Sequence, residues 1–179
     1  MHPALRIAQL LRVLRRVSGR KKFQKLVHTM QELGYPFPEQ FEYSYYGMYS
    51  RQLRGELDSL LGDKLLTEDE VQNQYGKPSF TFEVLPQLDS FLDELGVEKE
   101  PTWVPAAKKL NNYNALALEG ISTILYLKRC GYQGEQLKQR LLSLKPHLAD
   151  TYAYCERETS SLQQAFAVPT TPTATALPA

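Results

Sequence analysis

The sequence predicts a mainly α-helical protein carrying one small β-hairpin. Three observations predict it. Residues 3–17, 20–33 and 51–62 each repeat apolar side chains at helical spacing. Two β-favouring runs, 65–71 and 79–85, flank a polar connection that contains Gly76. Leucine-rich helical stripes then resume after Pro86 and continue to residue 166. Three helices followed by a hairpin suggest a winged-helix domain followed by a helical C-terminal extension. Such a scaffold binds far more often than it catalyses.

Each element has a local reason. The first helix carries Ile7, Leu10, Leu11, Leu14 and Val17 opposite a face of arginines, and Ser18-Gly19 ends it. The second sets Phe23, Leu26, Val27, Met30 and Leu33 on its core stripe. Lys21, Lys25, His28 and Glu32 are read as its solvent stripe, and Gly34 as its stop. Residues 35–38, Tyr-Pro-Phe-Pro, cannot continue a helix. Residues 41–46 favour a short strand, and Ser50 is a natural N-cap for the third helix, buried through Leu53, Leu57, Leu60 and Leu61.

Pro86 opens a fourth helix that Gly96 closes. Residues 97–104 are read as a linker in which Trp103 pins the extension to the first domain. Helical stretches follow at about 105–116, 118–130 and 134–145, where Pro146 breaks the pattern. Leu148, Tyr152, Cys155, Thr159, Leu162 and Phe166 make the stripe of a last helix. The expected organisation is a winged-helix-like domain over 1–96, a helical extension over 105–166, and a disordered Pro/Thr-rich tail over 167–179.

A hydrophobic fraction of 42% supports a real core, which excludes global disorder. Net charge is only +1 but unevenly spread. Residues 1–64 carry 11 Lys+Arg against 6 Asp+Glu, and the remainder carries 10 against 14. A basic front half can meet phosphates or an acidic partner. Two cysteines, Cys130 and Cys155, form no disulfide framework, and arginines interrupt the first helix, so no membrane span or signal core is read. The expected location is the cytoplasm.

No catalytic constellation is found: neither a Gly-x-Ser-x-Gly elbow, a P-loop nor a dinucleotide fingerprint is present. The three histidines are dispersed and neither cysteine has metal-ligand spacing, so no metal and no cofactor are expected. His28, on the solvent stripe, is read as an exposed helix histidine.

The main electrostatic feature is the cluster Arg15, Arg16, Arg20, Lys21, Lys22 and Lys25, with residue types suited to a phosphate backbone. Arg51, Gln52 and Arg54, at the start of the third helix, are types that hydrogen-bond base edges, and Lys77 belongs to the hairpin. These ten are the candidate nucleic-acid contacts. Against groove docking stand Glu56 and Asp58, and a connection over 34–49 far longer than a helix-turn-helix uses. Tyr43, Tyr45, Tyr46 and Tyr49 are candidates for a partner-protein interface or for core packing.

Residues 19–26, Gly-Arg-Lys-Lys-Phe-Gln-Lys-Leu, followed by Gly34-Tyr35-Pro36-Phe37 and Tyr46-Gly47-Met48-Tyr49-Ser50, resemble the YwgA-like family. Met48 stands where that pattern often has proline. The resemblance implies a winged helix with helical additions, in a family of uncharacterised function. More remotely, the Lys-Leu-Val helix followed by Tyr-Gly-x-Tyr-Ser is similar to the Panacea/SocA-like antitoxin domain, which implies action through protein contacts. The leading expectation is a non-enzymatic regulator that binds DNA. The alternative is a protein-interaction adaptor of antitoxin type. Homodimerisation through the C-terminal helices would suit either.

Overall fold

The first helix stops before its apolar stripe does. In the computed structural model, which describes residues 3–44, 47–72 and 78–168, α1 spans Pro3–Leu14. Arg15 then takes a left-handed φ of 62°. The chain leaves the helix there and runs extended as β1 (Arg16–Val17), a two-residue strand with no sequence signal of its own. Val17 still reaches the core, but from a strand.

Helix α2 (Arg20–Glu32) follows at once. The single strand expected over 41–46 is instead a hairpin, β2 (Glu42–Ser44) and β3 (Gly47–Tyr49), with Tyr43 opposite Met48. Helix α3 (Arg51–Gly62) is capped as expected, Ser50 Oγ accepting from the Leu53 amide at 3.2 Å. The hairpin expected over 65–85 is β4 (Leu66–Gln72) and β5 (Pro78–Val84), and β1 completes a three-stranded antiparallel sheet in the order β1-β5-β4. Arg16 faces Glu83 and Val17 faces Phe82 across that added edge.

Helices α4 (Pro86–Glu94), α5 (Val104–Asn111), α6 (Ala115–Arg129), α7 (Gly134–Leu144) and α8 (Tyr152–Phe166) complete the chain, with a 3-10 turn over Pro146–Thr151 before the last. The fold is therefore mainly helical with small antiparallel sheets, as the sequence predicts. One hydrophobic core runs from Ile7 to Leu162, through the front half and the helical extension alike.

Packing of α2 at the centre of that core revises its reading. Residues 22–30 of α2 are all buried, because α5 and α6 cover the face expected to meet solvent. Of the four residues on that stripe, only Lys21 is fully exposed. His28 is not an exposed histidine. It is wholly buried, its Nδ1 lies 2.8 Å from Ser122 Oγ on α6, and Phe41 meets its ring edge-on. Burial pushes its pKa down, which favours the neutral ring.

Arg12 is likewise drawn inward from the expected arginine face. Its guanidinium donates to the carbonyls of Val97 (2.8 Å) and Glu98 (2.6 Å) and to Asp93, tying the 97–98 segment to α1. Trp103 is buried edge-on against Phe37, so it does join the extension to the front half. The stripe of the last helix also holds: Cys155, Thr159 and Leu162 are buried, and a side chain at Gly120 of α6 would collide with Cys155 Sγ.

Candidate functional site

Two sequence blocks that looked independent are each other's partners. Gln24 of α2 reads both backbone groups of Ser50: its Nε2 donates to the Ser50 carbonyl (2.9 Å) and its Oε1 accepts from the Ser50 amide (2.8 Å). The next residue, Lys25, donates from Nζ to the Met48 carbonyl at 2.5 Å. The Gly-Arg-Lys-Lys-x-Gln-Lys helix start thus clamps the Tyr-Gly-x-Tyr-Ser turn. Leaving such buried backbone groups unpaired would cost about 1–3 kcal/mol each. The clamp explains why those residue types sit at those spacings without invoking a ligand.

The clamp also frames a cleft of about 820 Å³. Its walls are α2 (Lys21, Lys25), the small hairpin (Tyr43, Ser44), the first turns of α6 (Ala115, Leu116, Glu119), the last residue of α7 (Leu144) and the start of the 3-10 turn after it (Lys145, Pro146, His147). Lys145 Nζ is 2.8 Å from Glu119 Oε1, and His147 Nε2 is 3.4 Å from Glu119 Oε2. Burial pushes Lys25 down to about 8, helped by the charges of Lys145 and Lys21 and opposed by Glu119. Burial also pushes the Glu119 carboxyl up, but Lys145 and His147 outweigh it and hold the group below its ordinary value. Tyr43 is raised, by burial first and by the charge of Glu119 second, and its ring stacks on Tyr126 with centroids 5.1 Å apart.

The other predicted cations lie elsewhere and in different company. Arg15 pairs with Asp89 at 2.6 Å, and Arg16 with Glu83 at 3.3 Å. Arg20 makes a two-pronged bond to Glu68 (2.9 and 2.8 Å) and reaches Asp58 at 2.5 Å, contacts that raise its already high pKa. Lys22 is turned inward onto the Asn111 carbonyl. On α3, Arg54 sits 3.6 Å from Asp58 and Gln52 bonds Glu56, while Arg51 is exposed. Tyr49 is half-buried and lines a second hollow with Arg20, Lys21, Gln24, Arg54 and Leu57. Lys77, Tyr45 and Tyr46 lie outside the described residues.

Of the nine predicted nucleic-acid residues that are described, then, the cleft brings together only Lys21 and Lys25, and it adds Tyr43 from the tyrosine set. Sequence reading missed Lys145, Glu119, His147 and Ser44. Glu119 did leave a trace: it is the one charged residue in α6 before Lys128, an isolated carboxylate in an otherwise apolar run. Among the described residues no group of three or more His, Cys, Asp or Glu could hold a metal ion, and no helix is long and apolar enough to cross a membrane.

No protein-family model matches the chain, and no solved structure matches it. It is 26% identical over 129 residues to YwgA, an uncharacterised protein of Bacillus subtilis strain 168, an alignment covering 72% of this chain and 75% of that protein. This weak similarity supports placing the chain with YwgA-like proteins.

Proposed function

We propose that the protein is a non-enzymatic winged-helix regulator that works by binding an acidic, partly apolar segment of a partner protein. One observation carries this reading over DNA binding. The arginines of the front half, Arg15, Arg16, Arg20 and Arg54, already face carboxylates from α3, β4, β5 and α4. A phosphate backbone would have to displace Asp58, Glu68, Glu83 and Asp89 before gaining those contacts. Among the described lining residues of the cleft, Glu119 is the carboxylate beside Lys21, Lys25, Lys145 and His147. Beside them Phe80 and Leu116 are 48% and 39% exposed. Lys21 and Ala115 border both the cleft and a shallower hollow that reaches Phe80. Apolar anchors flanking a basic groove favour an acidic peptide with hydrophobic side chains.

The DNA reading retains one supporting feature, the exposed Arg51 and Gln52 at the start of α3. Fluorescence anisotropy with a mixed-sequence duplex, at about 50 and about 200 mM salt, separates the two. The expected result is no micromolar affinity. Tight binding that collapses with salt and is lost in Lys21→Glu would restore the DNA reading. In parallel, selection from a displayed peptide library should enrich Asp/Glu-rich sequences with aromatic or aliphatic anchors. That enrichment should vanish in Lys21→Glu and Leu116→Ser.

A further inference from the structure

We propose that the cleft between α2, the β2–β3 hairpin and the α6 N-terminus is an oxyanion-binding site, taking the phosphate or carboxylate of a small, partly apolar molecule. The inference goes beyond the docking reading and does not depend on it. Its first ground is a pair of buried ammonium groups. Lys25 and Lys145 are 5% and 6% exposed, and both lysine Nζ atoms lie about 3.5 Å from where a Cβ at residue 47 would stand. Residue 47 is a glycine with φ of +81°, a conformation side chains rarely adopt. A side chain at residue 47 would therefore stand in contact with both ammonium groups.

The second ground is Tyr43. Its hydroxyl is buried and has no hydrogen-bond partner among the described residues, yet the residue lines the same cleft. A buried hydroxyl without a partner costs free energy unless a ligand supplies one. Third, the start of α6, with Ala115 and Leu116 on the cleft wall, directs the positive end of a 15-residue helix toward it. Asn114 Oδ1 caps that helix through the Ala117 amide.

Charge bookkeeping points the same way. Three lysines and His147 line the cleft beside a single lining carboxylate, Glu119. The two buried ammonium groups, Lys25 and Lys145, would attract an incoming anion in a site of lower local dielectric. The volume suits a molecule larger than a bare ion, and the walls offered by Leu116, Leu144 and Pro146 suit an apolar body behind the anionic group.

The test is calorimetric titration of the full chain with inorganic phosphate, phenyl phosphate and benzoate, repeated for Tyr43→Phe and Lys145→Gln. Phenyl phosphate or benzoate should bind saturably and more tightly than inorganic phosphate. The pair distinguishes a phosphate site from a carboxylate site. Tyr43→Phe removes only the unpartnered hydroxyl, so its thermal stability should match or exceed wild type while affinity falls about 3- to 10-fold. Lys145→Gln, checked for native circular dichroism, should lose about 10-fold or more. Weakening in at least one variant sustains the proposal. It is overturned if none of the three probes binds, if inorganic phosphate binds as tightly as the others, or if neither variant weakens binding. A cleft that takes only an acidic peptide would also overturn it, assigning those lysines to the docking surface.

Discussion

The arginine rim and the lysine cleft carry the same sign of charge and have opposite electrostatics. On the rim, around β1, the start of α2 and α3, each of Arg15, Arg16, Arg20 and Arg54 faces a carboxylate, and most of these side chains are well exposed. In the cleft, Lys25 and Lys145 are almost wholly buried, and one carboxylate stands beside them. Counting basic residues along the chain ranks the rim first. Counting charge against nearby opposite charge, and weighting by burial, ranks the cleft first. Water and ion pairing quench the rim, whereas a lower local dielectric amplifies whatever the cleft lacks.

The comparison can be broken by charge reversal. Lys25→Glu would set a carboxylate against the Met48 carbonyl and near Glu119, and should cost about 3–5 kcal/mol in urea unfolding. A loss below about 1 kcal/mol would mean that the cleft is wetter than its burial implies.

Glu119→Gln sharpens the contrast by removing the cleft's carboxylate, with an expected loss of about 1–3 kcal/mol at neutral pH. The pH dependence has a definite sign. The folded-state pKa of Glu119 lies below its ordinary value of 4.5. Its contribution is thus present above about pH 4.5 and lost as pH falls through the folded value. Thermal unfolding across that range should therefore show a gap between wild type and Glu119→Gln that closes in acid.

The smallest effect belongs to the rim. Arg15→Gln and Arg16→Gln should each change stability by less than about 1 kcal/mol, and added salt should erase the difference. An effect as large as that of Glu119→Gln would place both regions in one class.

Helix periods, caps and the β4–β5 hairpin were legible because each is written in neighbouring residues. The strand β1 was not, since Arg16-Val17 is too short to show alternation and becomes a strand only when β5 arrives beside it. The β2–β3 hairpin read as one strand because the run from Phe41 to Tyr46 is rich in aromatic residues and favours extension without an internal breaker. The side of α2 bearing Lys25 and His28 looked solvent-facing for a related reason. Its cover comes from helices some 90 residues later, and their own stripes do not say which surface they will choose. The cleft suffers most from this. Lys25, Glu119 and Lys145 converge from three distant segments, while Arg15, Arg16 and Arg20 of the rim lie together in the sequence and drew attention first.

The end of the described chain has a practical consequence. The Val168 amide donates to the Leu33 carbonyl at 2.8 Å, and the residue packs over Gly34. The polypeptide therefore departs from the far end of α2, roughly 20 Å from that helix's first turn. A fluorophore or surface tether attached at residue 168 would stand at that end of α2. Immobilised that way, the protein presents the opposite pole, where Lys21 and Phe80 stand, to whatever flows past.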